Sequence, residues 1–345
     1  MKAIDHRTLP PTASIRDALE ALNQSGRMLT LFIVDEQRRL LGTVTDGDVR
    51  RAMLAGRAMD VPVEQAMNRS PRVLLEGEAP TGSIGELKRN GIRLLPLVDR
   101  DGRLNRVIDL GDMHSLLPID ALIMAGGRGS RLRPFTDTVP KPLIPVRGKP
   151  IIEHALGLLD RHGVENVAIS VNYLKERIKS HIGDGSAFGM VVSYLEEDRP
   201  LGTAGALGLL PRPKHETILM MNSDLLTDID LEAMYVRFKE ADADLAVATT
   251  EHLVELPYAI MDLEGDRVRS FREKPTLAYP CNAGIYLIHR RVLSQLAPNS
   301  PYNATDLIKD LLDRGRTVLA FPIDGFWYDI GKHEDLQRAQ DQHPN

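Results

Sequence analysis

Short apolar runs alternate with stretches of helical spacing along the later part of the chain. Runs of apolar and β-branched residues that are bounded by polar turns predict buried strands. The predicted strands span residues 121–124, 167–171, 191–194, 217–221 and 245–249. Apolar positions between the strands recur at helical spacing, for example over residues 151–162. The alternation predicts an α/β fold with a doubly wound, mostly parallel, Rossmann-like sheet.

A different pattern occurs twice before residue 117. Residues 33–40 align with residues 97–104, and the alignment continues through Gly47-Asp48 and Gly111-Asp112. Each copy predicts a strand, a polar turn, a second strand and the start of a helix. An amphipathic helix is predicted before each copy, at 14–24 and at 82–90. Such copies usually bury their apolar faces against each other, so we expect domains at 1–58, 59–117 and 118–345, with Pro118 at the join.

Composition narrows the classes of protein. Of the 345 residues, 43% are hydrophobic, which is enough for sizeable cores. The formal net charge of −5 argues against a nucleic-acid-binding protein, which is usually basic. One cysteine, Cys281, rules out an internal disulfide framework. Neither a secretion signal nor a membrane-spanning run is visible, so we expect a cytoplasmic protein without nucleic-acid or membrane partners.

The strand predicted at 121–124 runs directly into a loop rich in glycine and arginine. The loop consists of Ala125, Gly126, Gly127, Arg128, Gly129, Ser130 and Arg131. Backbone N–H groups of such a loop can approach phosphate oxygens, and guanidinium groups match phosphate geometry. A Walker A ending is missing, and Leu132 stands where a dinucleotide fingerprint has its third glycine. An arginine-rich solvated turn is the alternative, but Lys141 between two prolines favours a polyphosphate site.

The loop and several later segments occur in the order found in sugar-1-phosphate nucleotidyltransferases. They are GGRGSRLRP at 126–134, PKP at 140–142, PLGTAGA at 200–206, NSD at 222–224, FREKP at 271–275 and WYDIG at 327–331. The chain closely resembles this family over about its last two-thirds. The resemblance implies a GT-A-like fold and transfer of a nucleotidyl group from a nucleoside triphosphate to a sugar 1-phosphate, with release of pyrophosphate.

The resemblance also implies roles for individual residues. Arg128, Arg131 and Lys141 would hold the triphosphate, and Arg131 would stabilise the charge on the leaving pyrophosphate. Lys274 would grip the sugar phosphate. Asp224 and Asp329 would bind Mg²⁺, which prefers carboxylates together with water and phosphate oxygens. Asp224 alone would more simply be interpreted as a helix N-cap.

The sugar and the base are defined by fewer residues. By the resemblance, Glu273 and Asn282 would contact the sugar, which we expect to be glucosamine or mannose 1-phosphate. Gly202 and Thr203 would contact the base through close backbone and a hydroxyl group. This form of the segment is most similar to guanylyltransferases, so we expect GTP. The Gly-Asp-Gly-Ser stretch at 183–186 is shared with uridylyltransferases of cell-wall sugars, which are the alternative. A non-catalytic nucleotide-sensing protein is an alternative from another class.

The repeated N-terminal part resembles a pair of CBS domains, which are tandem nucleotide-sensing modules. Thr45 and Asp48 match the positions at which such domains contact phosphate and ribose, although both residues are also typical of a helix N-cap. In the second copy Arg106 and Asp109 replace the glycine and the threonine, so at most one ordinary nucleotide site is expected. A CBS pair joined to this transferase is similar to bacterial glucosamine-1-phosphate guanylyltransferases of legionaminic-type acid pathways. The pair predicts regulation and a homo-oligomer.

Overall fold

The computed structural model describes residues 7–24, 29–76, 84–111 and 113–341. The chain divides between Pro118 and Ile119 into two compact units. The first unit takes the chain up to residue 118 together with 161–163, and the second takes 119–160 and 164–345. None of the described helices combines the length and the apolar character that crossing a bilayer requires.

The first unit contains the same three-stranded sheet twice. The first sheet consists of β1 (Thr8–Leu9), β2 (Thr30–Val34) and β3 (Leu40–Thr45), in that order. The second sheet consists of β4 (Leu74–Leu75), β5 (Leu94–Val98) and β6 (Leu104–Asp109), in that order. In each sheet the first pairing is parallel and the second antiparallel. The helices of this unit are α1 (Ile15–Gln24), α2 (Asp46–Leu54) and α3 (Ile84–Arg89).

The two sheets are joined by reciprocal backbone hydrogen bonds at their turns. The amide of Leu40 donates to the carbonyl of Gly102 at 3.0 Å, and the amide of Leu104 donates to the carbonyl of Arg38 at 2.9 Å. Gly102 and Arg38 occupy equivalent turn positions and both have a left-handed φ, of 77° and 64°. The sequence repeat is therefore also a structural repeat at the level of single hydrogen bonds.

The helix start predicted in the second copy is wrong. After β6, residues 113–118 form irregular chain, and Asp112 lies outside the described residues. Of the helix predicted before this copy, at 82–90, residues 82 and 83 also lie outside the described residues. The carboxylate of Asp109 accepts from the amide of Gly111 at 2.9 Å. This bond closes an Asx turn, and none of the described residues 113–118 is helical, whereas Thr45 caps α2 in the first copy.

The second unit is built around a seven-stranded sheet. Its strands, in order across the sheet, are β11 (Val191–Glu196), β10 (Asn166–Val171), β7 (Ile119–Met124), β12 (Thr217–Asn222), β17 (Thr276–His289), β14 (Leu245–Glu255) and β18 (Val318–Pro322). Within this sheet only β17 runs antiparallel to its neighbours. The predicted fold class, a Rossmann-like α/β fold with a mostly parallel sheet, is confirmed.

Three two-stranded pairings complete the strands of this unit. They join β8 (Pro145–Val146) to β9 (Lys149–Pro150), β13 (Leu225–Thr227) to β19 (Trp327–Asp329), and β15 (Ile260–Glu264) to β16 (Arg267–Arg272). The helices are α4 (Ile151–Arg161), α5 (Lys175–Ile182), α6 (Leu231–Glu240), α7 (Ala304–Asp313) and α8 (His333–Asp341). The helix that the sequence predicts at 151–162 is therefore α4.

The core of this unit surrounds β7 and β12. In both strands nearly every residue is buried, as expected for central parallel strands that are covered on both faces. Leu122 of β7 and Ile218 of β12 have no exposed surface. Because β7 and β12 are adjacent and parallel, the loops after them leave the sheet at the same edge.

Candidate active site

A cleft of about 440 Å³ opens at the carboxyl edge of β7 and β12. It is lined by the glycine loop, Lys141 and its neighbour, Glu197, residues 200–203, residues 222–224, and Asp329 and Gly331. Among the residues singled out from the sequence, those that line the cleft are Ala125, Gly126, Gly127, Gly129, Ser130, Arg131, Lys141, Gly202, Thr203, Asp224 and Asp329. The fold thus brings widely separated parts of the chain to one place.

The glycine loop is held in one shape by contacts at Gly129. This residue has a φ of 60°, and an added Cβ would lie 2.9 Å from Thr136 Cγ2 and 3.0 Å from Lys141 Cβ. The hydroxyl of Thr136 donates to the Gly129 carbonyl at 2.9 Å. Leu132, which is fully buried, anchors the end of the loop. Only glycine fits both the backbone angle and the space at position 129.

The two candidate metal ligands meet through the pairing of β13 with β19. Asp329 lies opposite Leu225 in this pairing, and the amide of Ile330 donates to the Asp224 carbonyl at 3.0 Å. Asp224 leads into a strand, whereas Asp230 caps the next helix, α6. The simpler interpretation of Asp224 as a helix N-cap is therefore wrong.

The charges around these carboxylates are not balanced within the cleft. Lys141 Nζ forms an ion pair with Asp224 Oδ2 and lies 4.0 Å from Asp329 Oδ1. Burial, followed by the negative charge of Asp224, raises the pKa of Asp329, although Lys141 and Arg131 act in the opposite direction. A carboxylate pair with one shared lysine has room for additional positive charge.

The donor atoms fit a magnesium ion. Among the described residues, Asp224 Oδ1 and Asp329 Oδ1 are buried and have no hydrogen-bond partner. No group of three or more His, Cys, Asp or Glu side chains in the described ranges is arranged to hold a metal. Magnesium typically takes one or two carboxylates and fills its other positions with water and phosphate oxygens. Two unpaired carboxylate oxygens in a cleft that is also lined by a glycine loop match that preference.

The two arginines of the loop lie in different environments. Arg131 lines the cleft, and its guanidinium lies against Gly331. A Cβ added at Gly331 would be 3.4 Å from the guanidinium nitrogens. Arg128 is instead placed over the ring of Tyr173, at 5.8 Å from its centroid, and is not among the cleft-lining residues that the structure describes. Arg131 is therefore the better placed of the two to reach a bound polyphosphate.

Residues 200–205, which we call the base loop after the role expected from the sequence, line the cleft with their first four residues. Gly202 has a φ of 78°, and an added Cβ would lie 2.6 Å from Asn303 Oδ1. Thr203 Oγ1 accepts from the amide of Ala304 at 2.9 Å, so its hydroxyl hydrogen stays available as a donor. Both residues are exposed to the cleft, as the sequence predicts.

Sequence reasoning missed Glu197, which also lines the cleft and is only 7% exposed. Its Oε1 accepts from the hydroxyl of Ser170, and its Oε2 accepts from the amide of Leu201 at 3.0 Å. Its position just after β11 could have identified it, because ligands in parallel sheets bind beyond the carboxyl ends of the strands. Each carboxylate oxygen can accept a second hydrogen bond, so Glu197 is an acceptor within the cleft.

The sugar-binding candidates are not brought into the cleft. Glu273 and Lys274 are exposed in the turn between β16 and β17, where Lys274 has a φ of 42°. Asn282 lies on β17, and its Oδ1 accepts from the amide of Gly284 at 2.9 Å. None of the three is among the described residues that line the cleft, so their roles remain predictions.

Thr45 and Asp48 form a complete capping box at the start of α2 in the first unit. Thr45 Oγ1 accepts from the amide of Asp48 at 3.3 Å, and Asp48 Oδ2 accepts from the amide of Thr45 at 2.8 Å. Arg51 also forms an ion pair with Asp48. The capping interpretation of these residues has direct structural support, and their contact with a nucleotide remains a prediction.

Two family profiles match the chain. The nucleotidyl transferase profile matches residues 120–345, and the CBS domain profile matches residues 3–55. A UTP–glucose-1-phosphate uridylyltransferase of Synechocystis is 31% identical over 239 residues, covering 64% of this chain and 62% of the relative. A mannose-1-phosphate guanylyltransferase of Mycobacterium tuberculosis is 31% identical over 230 residues, with 64% and 63% covered. The chain thus spans somewhat less than two-thirds of the length of these curated relatives.

A solved structure supports the same relationship. A Bacillus anthracis protein, provisionally described as a glucose-1-phosphate thymidylyltransferase, superposes with a TM-score of 0.53 at 26% identity. The match covers 66% of this chain and 97% of that one. Together with the glycine loop, the paired aspartates and the profile match over 120–345, these similarities show that the chain belongs to the nucleotidyl transferase family.

Proposed function

We propose that this protein transfers a nucleotidyl group from a nucleoside triphosphate to a sugar 1-phosphate and releases pyrophosphate. One observation carries the proposal: the unpaired oxygens of Asp224 and Asp329 share a cleft with Lys141, Arg131 and a glycine loop. The substrates bring several negative charges to one phosphorus centre. Catalysis then depends on positive charge and on positioning more than on acid–base groups.

Each side chain has a defined task in this proposal. The N–H groups of the glycine loop hold the triphosphate, and Arg131 stabilises the charge that develops on the leaving pyrophosphate. Lys141 neutralises phosphate oxygens beside the reacting centre. Asp224 and Asp329 would hold Mg²⁺, which withdraws charge from phosphate oxygens when it is bound. Glu273, Lys274 and Asn282 are proposed to contact the sugar phosphate, which requires the turn at 273–274 to approach the cleft.

We propose GTP as the nucleotide on the basis of Glu197. The Watson–Crick edge of guanine offers two adjacent donors, N1–H and the N2 amino group, and a carboxylate accepts from both at once. Uracil offers one donor between two acceptors, so a carboxylate meets a repulsive oxygen on either side. The named relatives include both a guanylyltransferase and a uridylyltransferase, and hence support either base. Uridylyl transfer is the second candidate.

The remaining proposals concern the sugar and the first unit. Glucosamine 1-phosphate and mannose 1-phosphate are the proposed acceptors, and a relative's name mentions mannose 1-phosphate. The domain limits 1–58, 59–117 and 118–345 are proposed from the repeat. A CBS pair over the first two ranges would act as a regulatory and oligomerising module in the cytoplasm.

Pyrophosphate release, measured with a panel of nucleoside triphosphates and sugar 1-phosphates, tests the activity. Release with GTP and one of the two proposed sugars is expected. A panel in which the protein binds nucleotide but never releases pyrophosphate would identify a nucleotide sensor instead.

The base assignment is tested by Glu197→Gln, whose amide offers a donor as well as an acceptor. The ratio of kcat/KM for GTP over UTP should fall by about tenfold or more, because mismatched buried polar groups discriminate strongly. Glu196→Gln is the matched control, since Glu196 is exposed and pairs with Lys175 and Lys179. A wild-type preference for UTP, or an unchanged ratio in Glu197→Gln, would refute the guanine assignment.

A further inference from the structure

The base loop rests on a short segment that leads into α7 and includes its first residue, residues 300–304, which we call the support segment. Tyr302 pairs with the loop in both directions: its amide donates to the Leu201 carbonyl at 2.9 Å, and its carbonyl accepts from the Ala204 amide at 3.0 Å. The amide of Ala304 donates to Thr203 Oγ1 at 2.9 Å. Three hydrogen bonds therefore connect three loop residues, Leu201, Thr203 and Ala204, to one short stretch of backbone.

The loop and the support segment are in close backbone contact at two glycines. A Cβ added at Gly202 would lie 2.8 Å from the Tyr302 carbonyl oxygen, and one added at Gly205 would lie 2.8 Å from the Ser300 carbonyl oxygen. Both distances are shorter than a Cβ contact allows, so the two backbones touch only because these positions are glycine. A shift of the support segment therefore has to move the base loop as well.

A side-chain hydrogen bond fixes the support segment to α7. The hydroxyl of Tyr302 donates to Asp310 Oδ2 at 2.7 Å, which ties the segment to the middle of the helix. Asn303 and Asp306 form a separate capping box at the start of the helix. A cavity of about 170 Å³ lies beside Tyr302 and is bordered by Gly205, Ala297 and Asp310. One side of the ring packs against the hydrophobic core of the second unit and another borders this cavity, so the hydroxyl bond to Asp310 adds to incomplete packing.

We propose that Tyr302 is a positioning residue for the nucleotide, which it serves by holding the base loop through its hydrogen bond to Asp310. Tyr302 does not line the cleft in the described structure and acts through its bonds to Leu201 and Ala204, which flank Gly202 and Thr203. The inference rests on the proposed function, because it assigns the base of the nucleoside triphosphate to this loop. A loop that binds the base contributes equally to the ground state and the transition state. Its loosening should therefore raise KM for the nucleotide and leave kcat unchanged.

The first test is Tyr302→Phe, which removes the hydroxyl and keeps the ring. KM for the nucleoside triphosphate should rise about five- to tenfold, which corresponds to one lost hydrogen bond. We expect kcat to stay within about twofold and KM for the sugar 1-phosphate to stay unchanged. Tyr194→Phe is the matched control: it removes a phenol bond of 2.7 Å to the Gly183 carbonyl, outside the support segment, and should leave all three constants unchanged.

Asp310 supplies a second, independent test. Asp310→Asn keeps a side-chain oxygen that can accept from the phenol, so the nucleotide KM should stay near its wild-type value. Asp310→Ala removes the acceptor and should reproduce the effect of Tyr302→Phe. The double variant Tyr302→Phe/Asp310→Ala should show no further increase, because both changes break the same bond.

Several results would overturn the inference. An unchanged nucleotide KM in both Tyr302→Phe and Asp310→Ala refutes it, and so does an equal rise of both substrate KM values with a loss of kcat. Titration calorimetry with GTP separates this outcome from failure of the proposed function. If the wild type binds GTP without releasing pyrophosphate, the activity is refuted, and the dissociation constants of the same variants still decide whether Tyr302 positions the loop.

Discussion

Leu40 and Leu104 occupy equivalent positions in the two halves of the first unit, and the amide of each donates to a carbonyl in the turn of the other copy. Their side chains nevertheless differ in burial. Leu104 is 1% exposed and packs with Phe32 and Leu94, whereas Leu40 is only partly buried at the margin of the same cluster. The repeat is therefore symmetric in its backbone and asymmetric in its core.

This asymmetry predicts unequal costs for the same substitution. Leu104→Ala should lower the free energy of unfolding by about 2–5 kcal/mol, as expected for a buried leucine that leaves a cavity. Leu40→Ala should cost clearly less, and Leu54→Ala, at a position that is 84% exposed, should stay within about 0.5 kcal/mol of wild type. Urea denaturation of the three variants measures the order, and equal losses at positions 40 and 104 would contradict it.

The capping box of Thr45 and Asp48 predicts a stability effect whether or not a nucleotide binds there. Asp48→Ala should lower the free energy of unfolding by about 1 kcal/mol, and Thr45→Ser, which keeps the cap, should be nearly neutral. The number of nucleotide sites, measured by titration calorimetry, tests whether Asp48 also binds a nucleotide. Two sites per wild-type chain and one in Asp48→Ala would support a CBS ligand, and one site in both would leave Asp48 with the capping role.

The paired carboxylates predict opposite effects on activity and stability. Asp329→Asn should lower kcat by about 10²–10³-fold, the usual cost of removing one group that stabilises transition-state charge. Because burial and the neighbouring Asp224 raise the pKa of Asp329, ionising it disfavours the folded state. The variant should therefore have a higher Tm than the metal-free wild type at pH 7.

The Tm measurements should also be made with Mg²⁺ added. Mg²⁺ should raise the Tm of the wild type, since a ligand that binds only the folded state stabilises it, and should have little effect on Asp224→Ala or Asp329→Asn. Equal stabilisation of all three proteins by Mg²⁺ would place the metal site elsewhere. Asp198→Asn, an exposed position outside the cleft lining, serves as the control.

Asp120, a buried residue of β7, and its partner His215 predict how the stability of the second unit depends on acid pH. Burial acts to raise the pKa of Asp120, but hydrogen bonds from the ring and the amide of His215 outweigh it and hold that pKa below its ordinary value of 3.8. A carboxyl whose pKa is lower in the folded state stabilises the fold above pH 3.8. This stabilisation disappears as the pH falls through the folded-state pKa.

Asp120→Asn should therefore lower the free energy of unfolding at pH 7 by about 1–3 kcal/mol, the cost of disturbing a buried charged hydrogen bond. Below about pH 4 the difference between variant and wild type should shrink, because the wild-type carboxyl becomes protonated as well. Denaturation curves at several pH values measure the difference. A gap that stays constant down to pH 3 would show that Asp120 acts through packing instead of charge.

The central sheet was predictable because β7, β10 and β12 carry apolar residues on both faces and end in polar turns. The meeting of Asp224 and Asp329 was not predictable from physical pattern, since it depends on the pairing of two three-residue strands from distant parts of the chain. Only the family resemblance suggested it. Glu197 follows another glutamate and precedes an aspartate, which suggests a solvated run. Its burial depends on Ser170 and Leu201, whose positions the sequence does not reveal.

The contact between the base loop and the support segment also limits how this protein can be re-engineered. Gly202, Gly205 and Gly208 each lie against backbone or side-chain atoms of residues 297–303. A loop transplanted alone from a relative with another base preference would meet a partner surface shaped for the original. Under the proposed base assignment, a working chimera has to exchange residues 197–208 together with residues 297–304, because the two stretches are in direct contact.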